Sequence, residues 1–397
     1  MAVAPEHERN VLLVTGVAHA ATHFAELTYP TLAVVLAHET GLPLAQVLGW
    51  SFAGYLLFGL GALPAGLLAD HFGARRMLLG ALGGMSLGLV LAGLAAPGLP
   101  LAASLAVMGL AASAYHPAGM GLISRAIAAR GRALAVNGIF GNVGIALTPV
   151  VTAALAEHFG WRGAFLVSGT VLAALTLGCA RLPLAEPVAE VTAPSAGGSG
   201  NGRRALPLFV LCLAAMLGGI SYRGNTLVQP SYFAAEVSIM GFGTATSLVY
   251  LLGIFGQYAG GIAADRWDLR WAYLAFQAAS LPALLLIGVT QEVPLLGVAS
   301  VFVFFSLGMQ PIENSLFAHL TPDRWRSTGY GLKFVLTFGV GSLAVWLVQW
   351  AEATYGLAGV FPVLAGVVAL MVAAIGVLVF VMREPAPAVV AGETYPV

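Results

Sequence analysis

Apolar blocks of about twenty residues recur along the whole chain, and each is long enough to cross a ~30 Å hydrocarbon layer as a helix. Charged or turn-rich breaks delimit them at 11–37, 46–69, 75–96, 101–125, 132–156 and 162–182, and again at 206–235, 242–264, 270–290, 295–319, 327–351 and 357–382. These spacings predict an all-α membrane protein of twelve transmembrane helices. Composition agrees: of 397 residues 59% are hydrophobic and 9% charged, against roughly 25% charged in a soluble domain. That excludes a soluble enzyme, and a formal net charge of zero leaves nothing to attract nucleic acid.

The first block is too long for the apolar region of a signal peptide and lacks a basic leader, so it reads as a retained span. Cys179 and Cys212 both fall in apolar blocks, where a cysteine behaves as a small hydrophobe and needs no disulfide. Between the two sets of six spans lie Pro183, Pro187, Pro194 and a Gly-Gly-Ser-Gly-Asn-Gly run ending at Gly202, a linker composition. The expected organisation is an N-terminal six-helix bundle at 1–182, a cytoplasmic linker at 183–205, a C-terminal bundle at 206–384 and a cytoplasmic tail at 385–397.

Orientation follows from the 17 Lys and Arg residues. With the N-terminus inside, Arg9, Arg75, Arg76, Arg125, Arg130, Arg132, Arg181, Arg203, Arg204, Arg266, Arg270, Arg324, Arg326 and Arg383 fall on the cytoplasmic side, and Arg162 alone falls outside. Both termini are therefore expected in the cytoplasm and the chain in the bacterial inner membrane. The halves repeat: His116-Pro117 matches Gln310-Pro311, Arg132 matches Arg326, Gly66 and Asp70 match Gly261 and Asp265, and Pro30 matches Pro230. Six spans per half give both halves the same orientation, a parallel duplication with a cavity between the halves near the midplane.

The strongest local motif is Gly66-Leu-Leu-Ala-Asp70-His-Phe-Gly73-Ala-Arg75-Arg76, between spans two and three. Here the chain resembles the major facilitator superfamily, whose signature has a glycine, an acid four residues on, a second glycine and a basic pair. The loop from Gly261 to Arg270 keeps the glycine, Asp265, Arg266 and Arg270 but has Asp268 in place of the second glycine. The resemblance implies a rocking transporter in which Gly66, Asp70, Gly73, Arg75, Arg76, Asp265 and Arg266 gate the cytoplasmic side, and in which spans one, four, seven and ten line the cavity. A narrower likeness, to the fosmidomycin-resistance drug-efflux branch, rests on the histidine-rich first span, Tyr115-His116-Pro117-Ala118-Gly119, and Asn137-Gly-Ile-Phe-Gly-Asn-Val-Gly144.

Ionisable residues inside a membrane cost about 2.5–3.5 kcal/mol each on insertion scales, yet His19, His23, Glu26, His116, Arg223, Glu313 and Lys333 lie within spans. His19, His23 and Glu26 form one stripe at i, i+4 and i+7. The candidate cargo contacts are Arg223, His23, His116, Tyr115, Tyr222, Gln229, Gln310 and Asn314, and the candidate proton carriers are Glu26, His23, His19 and Glu313. Arg223 is read either as an anion contact or as a partner of Glu26 or Glu313. His19 and His116 are read either as site residues or as histidines hydrogen-bonded between helices, and Glu313 with Lys333 as a structural or gating pair.

No phosphate-binding glycine loop with Lys-Ser or Lys-Thr occurs, so ATP is not the expected energy source. No catalytic residues, cofactor or metal are expected. The expected function is proton-coupled secondary transport of a small anionic or amphiphilic compound by a monomer in the lipid bilayer. Efflux by antiport is the first reading and proton-symport import of a small organic acid the second.

Overall fold

The computed structural model describes residues 5–127, 130–184, 201–321 and 331–382. Arg324, Arg326 and Arg383, counted toward orientation, lie outside these residues, as do the tail at 385–397 and most of the linker. The helices are α1 (Pro5–Thr40), α2 (Leu44–Gly49), α3 (Phe52–Leu60), α4 (Ala62–Phe72), α5 (Ala74–Leu94), α6 (Leu99–Ala112), α7 (Tyr115–Ala126), α8 (Arg130–Arg181), α9 (Asn201–Glu236), α10 (Phe242–Arg266), α11 (Leu269–Ile287), α12 (Glu292–Leu320) and α13 (Ala344–Val381).

Counting the bent stretch from Leu44 to Phe72 as one, ten stretches among the described residues are long and apolar enough to span a membrane. The 52 residues of α8 would reach about 78 Å if straight, far more than one crossing needs. Gly160, at φ 66° and ψ 174°, breaks its helical path, and Gly356, at φ 75° and ψ 178°, breaks α13 in the same way. Positive φ is cheap only without a Cβ. Dividing the two longest stretches at these glycines makes twelve spans, as expected. The helices run past the apolar blocks by several residues, because hydropathy marks only the part of a helix that meets lipid. Thus α1 starts at Pro5, and α9 starts at Asn201, inside the segment read as linker.

Helix α1 packs on α8 and α7, and α5 on α6 and α8; in the second set α10 and α11 pack on α12, and α9 and α11 on α13. Water does not drive helices together in lipid, so close packing and buried hydrogen bonds hold such sets. The outer surface is correspondingly apolar, with Leu99, Val289 and Phe380 among its most exposed side chains. The sets touch through α1 with α9, α8 with α10, and α2 with α13.

The eleventh span is irregular. After helical residues 331–334 it passes through a π-helical turn, Val335–Gly339, and a 3-10 turn, Val340–Leu343, before α13. A Cβ at Gly59 of α3 would lie 2.0 Å from the backbone nitrogen of Gly339. Two backbones from opposite sets therefore meet with no side chain between them. On the side away from the arginine loops, Gln349 donates to the Ala45 carbonyl at 2.8 Å, and the Val150 N–H donates to the Ser247 hydroxyl at 2.9 Å. These bonds tie the two sets together on that side.

Candidate functional site

Helix α1 presents His19, His23 and Glu26 toward the interior, one turn apart along a single face. The His23 Nδ1–H donates to Glu26 Oε2 at 2.8 Å. The other carboxylate oxygen accepts from Arg223 Nη2 on α9. Both partners are almost fully buried, Glu26 at 4% exposure and Arg223 at 1%. The Arg223 guanidinium also lies 3.7 Å over the Tyr55 ring, a cation–π contact strengthened by desolvation. Tyr55 donates in turn to the Glu26 main-chain carbonyl at 3.2 Å. Arg223 thus meets Glu26, one of the two acids considered from sequence, while Glu313 has other partners.

Helix α7 adds Tyr115 and His116. The His19 ring lies 5.0 Å from that of His23, 5.5 Å from that of His116 and 4.7 Å from that of Tyr115, centroid to centroid. His19 Nδ1–H donates to the Asn137 carbonyl at 2.8 Å, and the Tyr115 hydroxyl donates to the Asn137 side-chain oxygen at 2.7 Å. His116 stacks with Phe334 and Phe338 of the irregular eleventh span at 5.1 and 5.8 Å. An aromatic column thereby joins the histidines of the first set to the π-helical turn of the second.

The remaining candidates make other contacts. Gln229 accepts from Asn225 within α9 at 2.7 Å. Tyr222 lines a small cavity with Tyr250, Asn225 and Thr226. Gln310 ends an amide ladder in which Asn142 donates to Gln257 at 2.7 Å and Gln257 donates to Gln310 at 3.1 Å. Glu313 pairs with Lys333 at 2.8 Å and accepts from Tyr273 at 2.6 Å, while Lys333 also donates to Asn314.

In the signature loop, Gly73 has φ 91° and ends α4. Asp70 meets Arg125 of α7 at 3.7 Å, so its ionic partner lies outside the motif. Arg75 donates to the carbonyls of Ala180 and Leu182 at 2.7 and 3.3 Å, and Arg76 to that of Phe72 at 3.4 Å. Gly66 packs toward Pro117, whose Cβ a methyl there would meet at 3.4 Å. In the second copy Asp265 and Arg266 are exposed. Asp268 caps α11 through the Arg270 N–H at 3.0 Å and grips the Arg270 side chain, which reaches the Met382 carbonyl. Arg75 and Arg270 hold the ends of the sixth and twelfth spans in equivalent ways, so an aspartate N-cap does in one copy what a left-handed glycine does in the other.

Sequence reasoning placed Asn137 and Asn142 in the fifth-span motif but gave them no part in the site, and it passed over Gln257, Phe334 and Phe338. An amide inside a predicted span was the available signal for the first three. The phenylalanines carried none, since their role depends on contact with His116.

Helices of this number and repeat, with a buried ion pair joining the halves, define a polytopic transport fold. Residues 13–210 match the profile of the Major Facilitator Superfamily, and the chain belongs to that family, which is one of transporters rather than enzymes. It is 30% identical over 270 residues to an uncharacterized MFS-type transporter of Mycobacterium tuberculosis, a match covering 65% of this chain and 36% of the relative. It is 33% identical over 148 residues to a multidrug resistance protein B homolog of the same species, covering 36% and 27%. It is 31% identical over 146 residues to a gallate transporter of Pseudomonas putida, covering 36% and 32%. The matches thus span about a third of the length of these relatives. Among solved structures, a POT family transporter in complex with 5-aminolevulinic acid aligns with a TM-score of 0.75 at 15% identity, covering 94% of this chain and 96% of that one.

Proposed function

We propose that the protein is a proton-coupled secondary transporter that expels a small anionic or amphiphilic organic compound across the inner membrane. It would work as a monomer with both termini in the cytoplasm, its bundles at 1–182 and 206–384 rocking about the central site. The observation that carries this reading is the buried chain His23–Glu26–Arg223, which runs from the first span to the seventh. Each charge neutralises the other, so cargo and proton act on one pair: exchange follows if they occupy it in turn, and symport if protonation of Glu26 frees Arg223 for the cargo. Arg223 then offers the planar fork suited to a carboxylate or phosphonate. The membrane potential adds roughly 2.3 kcal/mol per charge per 100 mV. The multidrug resistance relative supports efflux.

The gallate transporter favours the second reading, import of an organic acid with protons. The two differ in the sign of coupling. A thermal-shift screen against organic acids and drugs first supplies a cargo, since a ligand of the folded state raises its stability. Everted vesicles acidified inside should then accumulate labelled cargo if protons are exchanged for it, and lose it if protons accompany it. Cargo movement indifferent to the imposed gradient would end the proton-coupled reading.

A further inference from the structure

We infer that His19, His23 and His116 form a binding site for a divalent transition metal ion of the Zn²⁺ class. One ring nitrogen from each of the three lies within 4.8 Å of those of the other two. His19 and His23 are spaced i, i+4 on one face of α1, the spacing with which two histidines of one helix grip zinc, and α7 brings His116 from the side. Their remaining nitrogens are committed in the manner of metal ligands. His19 Nδ1 is held by the Asn137 carbonyl and His23 Nδ1 by the Glu26 carboxylate, which fixes the tautomer and leaves Nε2 of each ring as the nitrogen that can take a metal. His116 is 9% exposed, and its Nε2 has no hydrogen-bond partner among the described residues. A buried nitrogen left without a partner costs free energy, and coordination would satisfy it.

The donor set selects the ion. Three imidazoles suit Zn²⁺, Co²⁺ or Ni²⁺, whereas Mg²⁺ and Ca²⁺ require oxygen donors. Three neutral protein ligands leave a fourth position for water or a small anion. Drawing the nitrogens onto one tetrahedral ion needs inward shifts of about 1 Å at most, within the reach of ring rotation, since zinc–nitrogen bonds are ~2.0–2.1 Å.

The test uses the full-length purified protein, titrated with Zn²⁺ by calorimetry and with Co²⁺ by visible absorption. One high-affinity equivalent is expected, with the intense d–d bands of a tetrahedral nitrogen site for Co²⁺. His19→Gln and His116→Gln should each weaken binding at least ~100-fold, and Glu26→Gln, whose part in the metal site is to orient His23, by roughly 10–100-fold. A variant with His7, His38, His71 and His158 all changed to Gln should bind as the unaltered protein does. Should one ligand variant fail to fold, the other carries the comparison. Absence of a tight equivalent, a pale octahedral Co²⁺ spectrum, or binding undiminished by His19→Gln or His116→Gln would overturn the proposal. Neither titration involves cargo or a proton gradient, so its failure would leave the transport reading standing.

Discussion

Glu26 of the first helix and Arg223 of the seventh share a buried ion pair, with the guanidinium resting on Tyr55 and the carboxylate also held by His23. Two charges held out of water gain little net stability from each other, but removal of one strands the other at about 3–5 kcal/mol.

Arg223→Gln should therefore lower stability by a few kcal/mol and abolish transport. Adding Glu26→Gln removes the stranded acid and should restore the melting temperature without restoring transport. Arg223→Lys keeps the charge but loses the fork, so apparent cargo affinity should fall steeply. Thermal unfolding alongside transport assays separates the effects, and transport recovered by the double variant would defeat the anion-binding role.

The Glu313–Lys333 pair, braced by Tyr273 and Asn314, should behave as one unit. A double-mutant cycle with Glu313→Gln and Lys333→Met should give a coupling of about 1–3 kcal/mol in stability. Additive effects would show that the two side chains act independently.

At the signature loop the structure assigns Asp70 a partner in Arg125. Arg125→Gln is expected to slow transport as Asp70→Asn does, with expression and stability near normal, because this pair is exposed and contributes at most about 1 kcal/mol. Their double variant should be no slower than either alone. Full-speed transport by well-folded single variants would remove the pair from the gate.

Asp268 lies outside the membrane spans. Partial burial pushes its pKa up, but hydrogen bonds from the Arg270 side chain and backbone outweigh it and hold the carboxyl below its usual range. Such a group contributes stability above the unfolded carboxylate pKa, near 4, and loses it as pH falls through the lower folded value. Asp268→Asn keeps an N-cap acceptor but loses the charge that grips the Arg270 side chain, so it should cost at most about 1 kcal/mol at neutral pH, and the difference from the unaltered protein should shrink below pH 4. Melting curves taken at several pH values check this, and a gap that widens in acid would reverse the sign assigned to the cap.

Much of this protein was determined by the sequence alone. Block length decided the number of spans, because a helix crossing lipid must be about twenty apolar residues long. The 3.6-residue period placed His19, His23 and Glu26 on one face, and the glycine–acid–glycine–arginine spacing marked the loop at Gly66–Arg76. All of these are local, readable within a few turns of chain. Partner choice between helices was decided only by tertiary structure. Sequence left Arg223 between two acids, did not place Asn137 beside His19 and Tyr115, and carried no sign that Arg125 would meet Asp70 or that Phe334 and Phe338 would stack on His116. Helices in lipid choose neighbours by shape and by whichever polar groups happen to face one another, and neither property is encoded in the period of a single helix.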